Sequence, residues 1–234
     1  MRLGLVIPLF NEEDLITEVV ASIHSTLAAE NIEHTIVLVN NGSTDRTREL
    51  VEDLAHAENV EAIHFRDNEG YGGGILAGLA WFEQSGMPDV IGWCWGDGQV
   101  SATVLPSLFR ACTQGAPMAK VTRTARQDGL QRQVLTAAYA ATTSALGIRT
   151  PDVNGCPKLM TRDAFEQLQL MSDDWFLDAE AIIGAEQHGW DIATETVTMH
   201  RRMAGRSKVN WRTVLEFTWN LTRWRVQSLQ SSTD

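Results

Sequence analysis

In the stretch "GWCWGDGQ" a single carboxylate, Asp97, stands between two glycines at the end of an apolar run. A strand that closes on an acid between glycines presents that acid at a sheet edge, where it can take part in metal-assisted chemistry; the same residues also make an ordinary turn. Three other polar segments follow apolar runs in the same way: "PLFNEED", "NNGSTDRT" and "RDNEGYGGG". Each reads as a turn and helix cap, since Asn, Ser, Thr and Asp cap well and Gly turns sharply. Four in succession favour a shared binding cleft.

The elements that must position them alternate. Strand-like runs occur at "LGLVIPLF", "HTIVLVN", "VEAIHF", "DVIGWCW" and "APMAKVT", with helical patterns between, from Glu12 to Ala29 and from Thr44 to Ala57. Continuous apolar strands separated by helices predict an α/β fold, a mostly parallel central sheet covered by helices on both faces. Ligands of such sheets lie beyond the carboxyl ends of the strands, where the four polar segments fall. "GYGGG" lacks the GxGxxG spacing of a dinucleotide fingerprint; its glycines suit close approach of backbone to a phosphate or sugar at a helix N-terminus.

At 234 residues and 44% hydrophobic content the chain can bury one substantial core. It has no apolar stretch long enough to span a membrane, and "NEED" interrupts the first apolar run before it could act as a signal peptide, so a cytoplasmic location is expected. Cys94, Cys112 and Cys156 are far apart and without a CxxC pair, as expected of reduced core residues. The net charge of −11 is uneven: from His200 onward Arg201, Arg202, Arg206, Lys208, Arg212, Arg223 and Arg225 face only Glu216 and Asp234. An acidic body with a basic tail excludes a general nucleic-acid binder and points to one basic segment meeting an anionic partner.

The segments "VIPLFNEEDLI", "VLVNNGSTDRT", "NEGYGGGILAGL", "WGDGQ", "DVNGCPKLMTRDAF", "WFLDAEAI" and "RMAGRSK" resemble, in order, those of the family-2 inverting glycosyltransferases with the A-type nucleotide-binding fold. Within that family they are most similar to the dolichyl-phosphate and polyprenyl-phosphate sugar synthases. The resemblance implies a Rossmann-like nucleotide-binding half and a nucleotide-diphosphate sugar donor. It places Pro8, Asn11 and Glu12 at the base and ribose, Asn40, Asn41 and Asp45 near the nucleoside, and Asn68 and Gly70 after the third strand. Where the family commonly has two aspartates before "GS", Asn40 and Asn41 keep hydrogen-bonding capacity without the charge. The family's metal motif, Asp-x-Asp followed by Gln, has Trp95 in its first place, while Asp97 and Gln99 keep theirs. The implied divalent cation, Mg²⁺ or Mn²⁺, would stabilise charge on the departing diphosphate.

The resemblance further implies an acceptor phosphate held by arginines after the fifth strand. "TRTARQDGLQRQVLTA" offers Arg123, Arg126 and Arg132, whose forked donors suit phosphate oxygens, although the segment also reads as a solvated helix face. "GRSK", with Arg206, Ser207 and Lys208, adds a second cationic group. A phosphate monoester is already mostly dianionic at neutral pH, so a strong catalytic base is optional. Asp152 and Asp178 match acidic positions of the family near the reacting carbon, where either orients acceptor or sugar hydroxyls; a turn residue and a helix cap are the plain alternatives.

The chain divides into a catalytic domain over 1–205 and a basic amphipathic C-terminal helix over 206–234. Trp211, Val214, Leu215, Phe217, Trp219, Leu221, Trp224 and Val226 form an apolar sector opposite Arg212, Glu216, Asn220, Arg223 and Gln227. Such a helix suits a membrane surface, which would make the protein peripheral on the inner face of the membrane, or packs on the body or on a second copy in a homo-oligomer. The expected function is inverting transfer of a hexose or N-acetylhexosamine to a polyprenyl phosphate. A soluble acceptor and a catalytically silent nucleotide-sugar binder are the alternatives.

Overall fold

The computed structural model describes residues 1–125 and 148–199. Among these, seven strands form one sheet: β1 (Arg2–Leu9), β2 (Glu33–Asn41), β3 (Val60–Phe65), β4 (Val90–Trp93), β5 (Met118–Ala125), β6 (Lys158–Thr161) and β7 (Ile192–Thr198). Their order is β3-β2-β1-β4-β6-β5-β7. All neighbours are parallel except those involving β6, which runs against both β4 and β5. Apolar alternation foresaw the first five strands but neither β6 nor β7. Residues 148–157 lead into β6 from the carboxyl edge, where Asp152 meets Arg123 at the end of β5, and a strand that starts from that edge runs the other way.

Among the described residues the α-helices are α1 (Ile16–Ala29), α2 (Thr47–Leu54), α3 (Gly70–Ser85), α4 (Leu105–Thr113), α5 (Arg162–Leu168) and α6 (Leu177–Gln187). In α1 the buried residues are Ile16, Val20, Ile23 and Leu27, a single stripe at helical spacing. The helix expected from Glu12 begins only at Ile16, because Asn11 sits at φ 53° and the Glu12 carbonyl accepts the Leu15 and Ile16 N–H groups in a turn. The second helix starts at Thr47 and not Thr44, its N–H accepted by the Asp45 carboxylate.

Leu3, Leu5, Val6 and Ile7 of β1 are all fully buried, so both faces of the sheet are covered. On one face α3 comes so close that a Cβ at Gly78 would overlap the Val6 side chain, and Phe82 lies over Gly4. This close approach draws the N-terminus of α3 to the end of β1, where Pro8 meets Gly74. β1 is hydrogen-bonded to both β2 and β4. The chain therefore moves outward through β2 and β3 and returns to the other side of β1, which creates a crevice between the loops after β1 and β4. No helix among the described residues is long and apolar enough to cross a membrane.

Candidate functional site

The loops at this edge are stitched to one another. Asn11, at the tip of the loop after β1, donates its backbone N–H to Ser43 Oγ at 3.0 Å, and its Oδ1 accepts the Thr44 N–H at 2.8 Å. Glu12 N–H donates to Thr47 Oγ1 at 2.8 Å, and Arg46 N–H to Glu13 Oε2 at 3.1 Å. Burial opposes ionisation of Asp45, but hydrogen bonds from Thr47 and Glu13 outweigh it and lower the pKa. The loops after β1 and β2 thus form one hydrogen-bonded polar unit, with Asn11 and Asp45 half-buried and Glu12 and Asn40 buried.

Asn41 explains one departure from the family pattern. Its Nδ2 donates to the Gly70 carbonyl at 2.6 Å while its Oδ1 accepts the Glu69 N–H at 2.9 Å. An aspartate can only accept, so it could not satisfy both partners. Asn40 is almost fully buried, and its Oδ1 accepts the Ser43 N–H. Asn68 Oδ1 accepts the Gly70 N–H, and Gly70 adopts φ 82°, which a side chain would strain. The Gly73 N–H donates to the Asp173 carbonyl at 2.8 Å, bringing the segment before α6 to the same edge.

After β4, Asp97 Oδ1 accepts the Gln99 N–H at 3.1 Å, closing a turn. Asp97 lies on the wall of a cavity of about 230 Å³ with Leu15, Glu18 and Val19 of the α1 segment and with Trp95, Cys156 and Pro157. Trp95 is itself held in place: its Nε1 donates to the Tyr71 hydroxyl at 3.1 Å, and the Arg123 guanidinium carbon sits 5.1 Å from its ring centroid. Tyr71 stacks on Trp175 at 4.3 Å and 7°.

Beyond Trp95 lies a buried ionic network. Arg123, at the end of β5, donates its backbone N–H and its Nε–H to Asp152 Oδ2, both at 2.8 Å, and Nη2 to Oδ1. Burial opposes the Asp152 charge, but the guanidinium outweighs it and holds the carboxyl below its ordinary pKa. Asp178 is inside the first turn of α6, not at its cap, and only 1% exposed. Its Oδ1 accepts Lys158 Nζ at 2.6 Å and Trp93 Nε1 at 3.1 Å. It is therefore set behind the cleft, while Asp152 stands at the edge with Arg123. Burial, with Asp178 next in effect, raises the Tyr71 pKa well above its usual value.

The residues that sequence reasoning missed are Lys120, Lys158, Tyr71, Trp93 and Trp175. The signal was present for the lysines: each interrupts an apolar run, in "APMAKVT" and in "CPKLM", and a buried cation needs partners. The three cysteines are free and buried, as expected, and burial pushes Cys112 up to about 12. Arg126, Arg132, Arg206, Ser207, Lys208 and the helix expected over 206–234 lie outside the described residues.

The donor set suits a hard cation only in part. Asp97 and Gln99 share one turn, but Trp95 can only donate a hydrogen bond and cannot ligate. Among the described residues no three His, Cys, Asp or Glu side chains gather. One carboxylate and one amide would be left to hold Mg²⁺ or Mn²⁺.

A family model described as "Glycosyl transferase family 2" matches residues 5–169. A prophage bactoprenol glucosyl transferase homolog of Escherichia coli (strain K12) is 29% identical over 223 residues, 85% of this chain and 72% of that protein. An undecaprenyl-phosphate 4-deoxy-4-formamido-L-arabinose transferase of Pseudomonas fluorescens (strain SBW25) is 30% identical over 132 residues, 56% of this chain and 38% of that protein. Mannosyl-3-phosphoglycerate synthase from Rubrobacter xylanophilus superposes with TM-score 0.71 at 15% identity, covering 100% of this chain and 75% of its own. Glucosyl-3-phosphoglycerate synthase from Mycobacterium tuberculosis, solved with UDP, gives 0.65 at 18%, covering 97% and 79%. The two solved structures share the fold.

Proposed function

The chain belongs to glycosyl transferase family 2, and we propose that it transfers a hexose or N-acetylhexosamine from a nucleotide-diphosphate sugar to a polyprenyl phosphate, inverting the anomeric centre. The observation that carries this reading is the pairing of Arg123 with Asp152 beside Trp95, two residues before the Asp97 turn. A cation-bearing group thereby lies next to the loop assigned to the diphosphate. The relatives that act on bactoprenol and undecaprenyl phosphate supply the acceptor class.

Pro8, Asn11, Glu12, Asn40, Asn41, Asp45, Asn68 and Gly70 are assigned to the nucleotide side. Asp97 and Gln99 would hold Mg²⁺ or Mn²⁺, which supplies charge stabilisation to the departing diphosphate when bound. The acceptor phosphate is its own nucleophile: largely dianionic near pH 7, it needs orientation more than deprotonation. Arg123 provides that orientation. Its guanidinium carries five N–H donors, and Asp152 takes the Nε–H and one Nη2–H, leaving Nη1 to face a phosphate oxygen. Asp152 fixes the plane of that fork and Asp178 anchors Lys158 behind it. Attack from the face opposite the diphosphate inverts the anomeric carbon.

Arg126, Arg132, Arg206, Ser207 and Lys208 are assigned to the same phosphate, and residues 206–234 to a membrane surface on the cytoplasmic side. Pelleting with anionic vesicles, lost on truncation at 205, tests the latter assignment. For the reaction, a panel of UDP- and GDP-sugars is incubated with undecaprenyl phosphate in detergent and Mg²⁺ or Mn²⁺. The expected result is one productive donor and loss of product on Asp97→Ala. Donor binding without transfer to any acceptor, lipid or soluble, overturns the reading in favour of a silent binder. Transfer only to a soluble phosphate overturns the lipid assignment.

A further inference from the structure

Lys120 lies in β5 and is fully buried, yet among the described residues its ammonium meets no carboxylate directly. Its Nζ donates to three backbone carbonyls, Val121, Pro151 and Asp152, each at 3.0 Å, with Thr122 Oγ1 at 3.5 Å. An ammonium has three N–H donors, so the three carbonyls satisfy it completely. Two of them belong to the loop that carries Asp152, which sits 29 residues along the chain from Arg123. Removing a lysine from water is costly, and an apolar residue would serve the strand better if packing were its only task.

The loop is restrained along its length. At its start Glu186 of α6 accepts the Arg149 and Thr150 N–H groups at 2.9 and 2.7 Å. At its end Lys158 Nζ donates to the Gly155 carbonyl at 2.9 Å. Between them Asp152 has φ 47°, a left-handed conformation that is unfavourable for a residue with a side chain. Its carbonyl also accepts the Gly155 N–H at 2.7 Å. The backbone around Asp152 thus persists in an unfavourable conformation because buried donors hold its carbonyls. Lys120 supplies the donor at the strained residue itself.

We propose that Lys120 is a positioning residue for the transfer reaction: its ammonium clamps the carbonyls of Pro151 and Asp152 so that Asp152 holds the Arg123 guanidinium in place against Trp95. This rests on the function proposed above for Arg123, but the clamp itself is a property of the loop. The groups that face the ammonium are Lys158 of β6, Asp152 of the loop, Arg123 of β5 and Asp178 of α6. Burial, followed by repulsion from Lys158, lowers the Lys120 pKa to about 8. Loss of that proton leaves an amine with two donors for three carbonyls, which releases one of them. The clamp is therefore intact at neutral pH and weakens as pH rises through 8.

The test uses the whole chain and two readouts. Hydrogen exchange of the 149–155 peptide in the wild type, expressed as protection relative to intrinsic rates, is followed from pH 7 to 9.5. Protection is expected to fall in that loop while β1 and β4 hold theirs, and to be low at every pH in Lys120→Met. In parallel, kcat/KM for transfer to undecaprenyl phosphate is expected to show an alkaline limb near 8 in the wild type. In Lys120→Met it is expected to fall roughly tenfold to hundredfold, mainly in kcat, and to lose that limb. Loop protection that does not change with pH in the wild type overturns the proposal, even where the variant fails to fold. So does a Lys120→Met protein with wild-type protection and kcat. A wild type that transfers no sugar sinks the function but leaves the exchange result to decide the clamp.

Discussion

The guanidinium carbon of Arg123 lies 5.1 Å from the ring centroid of Trp95, while the indole Nε1 donates to the Tyr71 hydroxyl at 3.1 Å. Trp95 therefore links β5 to α3 at the position where the resemblance leads us to expect a metal-binding carboxylate. Trp95→Asp would restore a second oxygen ligand beside Asp97 and remove this link. We expect several-fold tighter Mn²⁺ binding in the presence of UDP, measured by calorimetry, together with a lower melting temperature. The lost cation–π contact accounts for about 0.5–2 kcal/mol of the destabilisation. Unchanged Mn²⁺ affinity would mean that the loop after β4 does not ligate the metal.

Arg123 and Asp152 form a second testable relationship. Their side chains are 6% and 19% exposed, so removing one partner strands a charge in a poorly solvated place. Arg123→Met or Asp152→Asn alone should cost about 3–5 kcal/mol in urea unfolding, and the double variant less than the sum. Because the folded pKa of Asp152 lies below its unfolded value of 3.8, the pair contributes its stability above that pH and loses it as pH falls through the folded value. The wild type should therefore lose more stability than Asp152→Asn between pH 4 and more acidic conditions. Additive single effects would show that the fork is not a coupled pair.

The four loops that sequence patterning gathered at one sheet edge do meet there, because the end of an apolar strand and the polar cap after it are both local signals. The placement of Asn11, Asn41 and Asp45 at this edge was legible for that reason. Asp178 was named too, through its match to an acidic position of the family, but its pairing with Lys158 was not legible, since it joins β6 to α6 across 20 residues and depends on the antiparallel insertion of β6. Only burial shows that Asp178 is the counter-charge of a lysine. Trp95 likewise looks like a damaged metal motif until Tyr71 and Arg123 are seen on its ring.

Two adjacent glycines in α3 should behave differently. A Cβ at Gly72 would overlap the Ser172 carbonyl and lie 2.8 Å from that of Asp174, both backbone atoms that cannot turn aside. At Gly73 the nearest atom is the Glu69 Cβ at 3.2 Å. Gly72→Ala is expected to cost about 1–3 kcal/mol and to displace the segment before α6. Gly73→Ala should be close to neutral, since a helix-propensity gain of up to about 1 kcal/mol offsets a tight contact. Chemical denaturation of the two variants checks this; equal losses would indicate that α3 does not dock on residues 172–174.

His24 and His34 provide a pH-dependent contact remote from the site. His34 Nδ1 lies 2.8 Å from the Ile32 carbonyl, which can only accept, so this nitrogen carries the proton and donates. His34 Nε2 is then the acceptor for His24 Nδ1–H, also at 2.8 Å. That leaves His24 Nε2 unprotonated and buried, with no hydrogen-bond partner among the described residues. Protonating it would bury an N–H without an acceptor, and burial, followed by repulsion from His34, lowers the His24 pKa. With the folded pKa below 6.5, the unfolded chain binds the proton first as pH falls. The stability is thus present above pH 6.5 and lost on acidification toward the folded value. His24→Asn, whose amide donates from the place of Nδ1 but does not titrate, should show a shallower fall in melting temperature between pH 7 and 5. Because burial and Arg48 also lower the His64 pKa, some acid sensitivity should persist in that variant. Identical slopes in wild type and variant would place the acid-sensitive step away from this pair.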